Sequence, residues 1–160
     1  MDKKILNLLA RDSRTTPAQI ATMLGRSEDE VRGEIAAAER DGVIRGYKAV
    51  VDWEKLDNAY VSAIIQLRVT PKAGCGFEEV AEQVARYPEV EAVYLMSGVY
   101  DLSVIVRGKT FQEVALFVAR ELSPMESVVE TSTCFVLRRY KEMDVELHDR
   151  NTDDRDTFLL

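Results

Sequence analysis

The sequence has one histidine, His148, and two cysteines, Cys75 and Cys134, among its 160 residues. Two cysteines cannot build a disulfide framework, so they read as independent thiols. With no cysteine–histidine cluster, the usual zinc ligand sets are excluded, and neither metal nor cofactor is expected. Histidine acid–base chemistry has a single candidate, and His148 stands in a polar end segment. No apolar run approaches the roughly 18 residues that a membrane helix needs. The start, Met1-Asp2-Lys3-Lys4, leads into an amphipathic stretch without a signal-peptide cleavage pattern. These absences give the expectation of a cytoplasmic protein with no membrane partner.

What is there is a globular balance, 46% hydrophobic and 31% charged, with a net charge of −7. The acidity is uneven. Residues 1–50 hold nine basic and eight acidic side chains, whereas 51–160 hold twelve and twenty. The first part therefore does not repel phosphate, although it is no basic patch. The acidity is densest from Glu142 to Asp156, which reads as a solvated end with an apolar tip, Phe158-Leu159-Leu160.

Residues 1–50 read as three helices. Ile5, Leu6, Leu8 and Leu9 form a helical stripe over Asp2–Ala10. Thr16-Pro17 opens a second helix, with Ile20, Met23 and Leu24 as its buried face and Gly25 as its end. Ser27-Glu28-Asp29-Glu30 is a capping box that starts a third, whose inner face is Val31, Ile35 and Ala38 and whose end is Gly42. Helix, helix, four-residue turn and capped helix is the helix-turn-helix pattern. Val43–Val51 then reads as a strand, either a wing or the connection onward, and 51–60 as a linker.

From 61 to 140 the pattern changes. Val61–Val69 is a strand, and Phe77, Val80, Ala81, Val84 and Tyr87 mark a helix ended by Pro88. Val90–Met96 and Leu102–Val106 are strands around Ser97–Asp101. Thr110 caps a helix that runs through Phe111, Val114, Phe117 and Leu122, and Ser127–Leu137 is a last strand. Strand-helix-strand-strand-helix-strand is the ferredoxin-like order, an antiparallel sheet with both helices on one face. Tyr94, Met96, Val104, Val106 and Phe135 suggest that the second face is partly apolar, and a homodimer is the simplest cover. The fold class is thus α+β: a winged-type helix-turn-helix over 1–50, a ferredoxin-like βαββαβ domain over 61–140, and an acidic tail over 141–160.

Two stretches carry a family resemblance. One runs from Ile20 to Tyr47 and includes Leu24-Gly25-Arg26-Ser27 and Gly42-Val43-Ile44-Arg45-Gly46-Tyr47; the other is Ser97-Gly98-Val99-Tyr100-Asp101-Leu102, followed by Val104 and Val106. At this spacing, over about residues 2–140, the chain resembles the leucine-responsive/asparagine-C (Lrp/AsnC) family, the feast/famine regulators. The resemblance implies a DNA-binding homodimer, often assembled further to a tetramer or octamer. It also implies a C-terminal domain that binds an amino acid or related metabolite between dimers. The chain departs from the family at Glu34, where members usually carry arginine.

Plotting the third helix with Val31, Ile35 and Ala38 inward leaves Asp29, Gly33, Ala36 and Arg40 outward, with Arg32 on a flank. With Arg26 and Ser27 in the preceding turn, Arg32, Gly33, Ala36 and Arg40 are the candidate contacts to double-stranded DNA. For the arginines, solvated surface charge or a salt bridge is the plain alternative. Gly98, Val99, Tyr100 and Asp101 are, with the resemblance, candidates for an effector loop: Gly98 as close backbone or positive φ, Asp101 as acceptor for an ammonium. Thr131 and Thr133 could add hydroxyls; the plain alternatives are a β-turn and ordinary strand propensity. The reading is a ligand-responsive transcription regulator and not an enzyme. Two alternatives remain open. One is a sirohaem-decarboxylase-like enzyme, against which stands the absence of histidine from the sheet domain. The other is a metabolite sensor of the same fold that does not bind DNA.

Overall fold

The computed structural model describes residues 2–56, 60–70 and 76–147. Cys75, His148 and the expected tail beyond 147 lie outside the described residues. The chain divides into two compact units, Met1–Val50 and Val51–Leu160.

The first unit is three helices, each started by a side chain that satisfies an orphan backbone N–H. Asp2 accepts from the Lys4 N–H to begin α1, Lys3–Arg11. Thr16 and Gln19 form a capping box at α2, Pro17–Leu24, and Ser27 and Glu30 form another at α3, Glu28–Arg40. Gly25 ends α2 at φ 65° and Gly42 follows α3 at φ 70°, backbone states that glycine adopts without a Cβ clash. The helices close over Ile5, Leu9, Ile20, Ala21 and Val31, with Leu8, Leu24, Ile35 and Ile44 around them. Met23, expected in this core, is 63% exposed. At 100° per residue the inward side of α2 is centred between Ile20, Ala21 and Leu24, and Met23 falls outside it.

The expected strand over 43–51 is not formed. These residues have no ladder partner in the unit, and Val43, Tyr47 and Val51 are exposed. Of the two roles expected for the segment, it takes that of connection. A short 3₁₀ turn, Trp53–Lys55, follows, capped by Asp52.

The second unit is built on a four-stranded antiparallel sheet in the order β2-β3-β1-β4, where β1 is Val61–Val69, β2 Val90–Leu95, β3 Leu102–Gly108 and β4 Val128–Val136. Helix α4, Gly76–Ala85, joins β1 to β2. Helix α5, Phe111–Phe117, capped by Thr110 and continued by a π turn over Val118–Leu122, joins β3 to β4. This is the expected ferredoxin-like order.

Strand alternation sorts the side chains. Ala63, Ile65, Leu67 and Val69 of β1 and Leu102, Val104 and Val106 of β3 are buried with Val80, Val84, Val114, Phe117 and Leu122 from the helical segments. Val104 and Val106 therefore belong to the helix-covered face, and Phe135 packs there too, its ring 4.9 Å from that of Phe111. Their assignment to the second face is corrected by the register: Val104 and Phe135 stand opposite Ile65 and Ala63 of β1. The open face is instead lined by Ile64, Gln66 and Arg68 of β1, Ser103, Ile105 and Arg107 of β3, Ala92 and Tyr94 of β2, and Glu130, Ser132 and Cys134 of β4.

The chain expected to be a solvated tail from 141 is ordered as far as it is described. Lys141–Glu142 (β5) pairs with Val145–Glu146 (β6) across a two-residue turn, Met143 and Asp144, with φ of 45° and 67°. Both central residues at positive φ define the hairpin turn whose twist matches the flanking strands.

Ile65 is fully buried in the centre of the sheet. Ile65→Ala should destabilise the second unit by about 2–5 kcal/mol, read as a lower urea midpoint at unchanged slope. A loss below about 1 kcal/mol would contradict this packing.

Candidate DNA-binding face and effector loop

The outward face of α3 is as the helical plot gives it. Arg32, Gly33, Ala36 and Arg40 are exposed, and a Cβ at Gly33 would meet nothing. Gly33 and Ala36 keep the middle of this face low, so that a groove edge can approach the backbone. Both arginines carry local acidic partners: Arg32 pairs with Glu28 one turn earlier, and the Arg40 Nε lies 3.0 Å from the Asp41 carboxylate. These pairs are largely solvated, so releasing either arginine to phosphate costs little. Ser27 is exposed but its hydroxyl is used as the cap, accepting from the Glu30 N–H.

Arg26 is committed elsewhere. Its guanidinium donates to the Glu34 carboxylate at 2.6 Å and lies 3.7 Å from Asp2 and 3.8 Å from Glu30. The other oxygen of Glu34 accepts the Asp2 backbone N–H at 2.8 Å. Glu34 thus joins the start of α1, the turn before α3 and α3 itself. Its carboxyl is held below the ordinary glutamate value, first by the Asp2 N–H and then by Arg26, while Arg26 is raised chiefly by its bond to Glu34. The acid that replaces the family's arginine is therefore a structural tie with a partner of opposite charge. Behind α3, the Tyr47 hydroxyl donates to Glu39 at 2.9 Å, fastening the connection to the helix; burial and then that bond push its pKa up.

In the second unit the loop 97–101 between β2 and β3 is pinned by its last residue. The Asp101 N–H donates to the Leu67 carbonyl, its carbonyl accepts from Met96, and its carboxylate accepts the Val69 N–H at 2.8 Å. That last bond satisfies the Val69 N–H just beyond the last β1–β3 pair, Leu67 with Leu102. One oxygen of Asp101, expected to await an ammonium, is thus used inside the fold. Of the two roles expected for Gly98, close backbone or positive φ, it does not take the second: among the described residues the glycines at positive φ are Gly25, Gly42 and Gly76. Val99 is 74% exposed. The Tyr100 hydroxyl donates to Glu130 at 3.1 Å, and the Arg68 guanidinium lies 5.6 Å from the Tyr100 ring centre and 3.1 Å from Glu130.

The structure brings Gly98, Val99, Tyr100 and Asp101 into one loop but does not bring the two threonines to the Arg68–Glu130 side. Thr131 and Thr133 stand opposite Leu67 and Ile65, on the helix-covered face, and Thr131 lies 3.5 Å from the Ser123 hydroxyl. Sequence reasoning missed Arg68 and Glu130. The signal, a charged pair directly opposite across β1 and β4, becomes legible only once the register is known.

It also missed an aromatic box at the start of β1. Arg107 lies 4.7 Å from the Tyr60 ring and 5.9 Å from that of Trp53, and pairs with Glu91; Arg139 donates to Ser62 and, through its backbone, to Glu54. These contacts fix the end of the linker on the sheet. Among the described residues no three side chains are grouped to hold a metal, and no helix is long and apolar enough to cross a membrane.

A capped helix-turn-helix unit ahead of a ferredoxin-like domain defines a two-part regulator. The AsnC-type helix-turn-helix model matches residues 1–37, and the Lrp/AsnC ligand binding domain model matches 62–146. The chain belongs to the Lrp/AsnC family of transcriptional regulators. It is 46% identical to the uncharacterized HTH-type transcriptional regulator YugG of Bacillus subtilis, over 96% of this chain and 93% of that one. It is 34% identical to the HTH-type transcriptional regulator FL11 of Pyrococcus furiosus, over 89% and 91%. Among solved structures, an AsnC family regulator from Agrobacterium tumefaciens superposes with a TM-score of 0.70 at 29% identity, covering 89% of this chain and 94% of that one. A regulator from Neisseria meningitidis, solved in complex with L-methionine, shares the fold with a TM-score of 0.70 at 24% identity, covering 89% and 93%. The curated relatives are named as transcriptional regulators, so the chain is a regulator and not an enzyme, and the decarboxylase alternative falls.

Glu34 gives a pH test of the first unit. A carboxyl held below its ordinary value of 4.5 stabilises the fold fully above that value, and the stabilisation is lost as pH falls through the lower, folded value. Glu34→Gln should therefore lower the melting temperature near pH 7, and the gap to wild type should narrow progressively as pH falls below 4.5. A gap that keeps the same size throughout would contradict the tie.

Proposed function

We propose that the protein is a cytoplasmic, sequence-specific DNA-binding regulator whose DNA affinity or assembly state responds to an amino acid or related small metabolite. The observation that carries this reading is the outward face of α3, low at Gly33 and Ala36 and flanked by Arg32 and Arg40, on the same chain as the ligand-binding domain. In the reading, Ser27 lies at the edge of the contact, Arg32 and Arg40 exchange their local acids for phosphate or base edges, and Gly33 and Ala36 face the major groove, while Glu28, Asp29 and Glu30 of the first turn stay off the phosphates. Arg26 supports this face from behind through Glu34 and is no longer assigned a phosphate. The net charge near zero of residues 1–50 makes a single unit a weak binder, so paired units supply the affinity.

The pairing partner is a second copy. Ile64 and Ile105 are cross-strand neighbours on the open sheet face, with Ala92 and exposed Tyr94 beside them. Such a face is covered by an isologous dimer, and further association to a tetramer or octamer would set the loop 97–101 between dimers. That a relative was solved with L-methionine supports an amino acid as effector.

A second reading, a sensor without DNA binding, is favoured by one observation: Arg26, Arg32 and Arg40 all have acidic partners within the unit.

Mobility-shift titrations with fragments that include the gene's own upstream region separate the two. The regulator retards particular fragments with a steep salt dependence, and Arg40→Ala reduces the slope of log affinity against log salt by about 1. No retardation at low salt, with or without amino acids, leaves the sensor. For the dimer, sedimentation should give about twice the 18.1 kDa chain mass. Ile105→Asp should bring it to one chain, and a variant that sediments like wild type would contradict the sheet-face interface.

A further inference from the structure

The connection between the two units is anchored at both ends. On the first unit, Ile44 packs on the helical core, the Arg45 guanidinium lies against Gly42 just after α3, and the Tyr47 hydroxyl donates to Glu39 at 2.9 Å. On the second, the Trp53 and Tyr60 rings meet edge to face at 5.2 Å, Arg107 stands over both, and the Glu54 carboxylate accepts the Arg139 N–H at 3.2 Å. We propose that these two anchors determine which half-site spacing the paired DNA-binding units accept, with Tyr47 and Trp53 as the positioning residues. The proposal rests on the reading of the protein as a DNA-binding dimer and adds to it which operators the dimer can use.

Chain length sets the reach. Tyr47 and Trp53 are six residues apart, so the chain between them spans at most about 20 Å. With the anchors released, the nearest fixed residues are Ile44 in the helical core and Val61 at the start of β1, seventeen apart, with a reach of about 55–60 Å. Moving two half-sites apart by one more turn of DNA adds about 34 Å, about 17 Å for each member of a dimer. That is most of the anchored reach and less than a third of the released one. Both anchors are also tied to what they serve. The Tyr47–Glu39 bond closes the segment onto α3, so the tether begins at the helix that faces DNA. Arg107, which holds the Trp53 and Tyr60 rings, belongs to β3 and pairs with Glu91 of β2, so the tether ends on the sheet. Two linked binding events gain from one another only when the linker spans the sites, and the gain falls gradually once the linker is longer than the span. A short anchored tether is therefore selective for spacing, and a long free one is tolerant.

The test is fluorescence anisotropy of the full chain on three DNAs: a retarded fragment with its two protected half-sites, the same fragment with ten base pairs added between them, and one half-site alone. Wild type should bind the lengthened site at least about tenfold more weakly than the natural one. The double variant Tyr47→Phe, Trp53→Ala should lose about fivefold on the natural site, the dilution that a longer tether brings, and should bind the two spacings within about threefold of each other. Its affinity for one half-site should equal that of wild type, which a damaged α3 would not allow. A ten-residue Gly-Ser insertion between Ala49 and Val50 leaves both anchors in place and should relax the spacing in the same way, which gives a result even if Trp53→Ala unfolds the second unit. Wild type that binds both spacings equally, or one half-site as tightly as two, overturns the assignment while DNA binding stands. So does a double variant that melts like wild type and keeps its spacing preference, or an insertion variant that keeps it. If no fragment is retarded at low salt, the DNA-binding reading fails and the assignment with it.

Discussion

The second unit depends on the alternation of its central strand. Each second residue of β1, from Ala63 to Val69, is buried under the helices, and each intervening residue, from Ser62 to Arg68, faces the other way. A slip of one residue would carry Ile65 and Leu67 into the open and put Gln66 and Arg68 in the core, so the register is strongly specified. From that register follow the cross-strand position of Glu130 opposite Arg68, the pair of isoleucines on the open face, and the place where Asp101 closes the end of the β1–β3 ladder. The Arg68–Glu130 pair and the isoleucine pair are thus two regions of one face, both by-products of how the core is packed.

The first unit obeys a different constraint. It has a small core, and its helices are set by caps and by one internal ion network. Glu34 carries most of that network's geometry, because each of its oxygens meets a different element. The residue that departs from the family's pattern ties α3 to the start of α1 and to the turn before α3.

Much of this was legible in the sequence. Caps and C-terminal glycines act locally, through three or four residues of chain, so Thr16, Ser27, Thr110, Gly25 and Gly42 announced their roles. The βαββαβ order followed from hydrophobic period alone. What stayed hidden depends on pairing. Val43–Val51 has strand composition but no partner strand in its own unit, and composition cannot reveal a missing ladder. Val104, Val106 and Phe135 were read onto the wrong face because which side a strand buries is fixed by its neighbours. Thr131 and Thr133, to which the sequence assigned no face, stand opposite Leu67 and Ile65 for the same reason. The loop 97–101 stands out by motif, but the polar residues that Tyr100 meets, Arg68 and Glu130, are thirty or more residues away in sequence.

The central claim is that one chain couples an amino-acid site to a DNA-binding face. Coupling is reciprocal: if the effector changes DNA affinity by some factor, DNA changes effector affinity by the same factor. The direct measurement is the affinity for a retarded DNA fragment, by fluorescence anisotropy at fixed salt, with and without the bound amino acid, paired with the amino-acid affinity with and without that fragment. The account predicts two matching factors different from one. Tight binding of both ligands, each indifferent to the other, would contradict it.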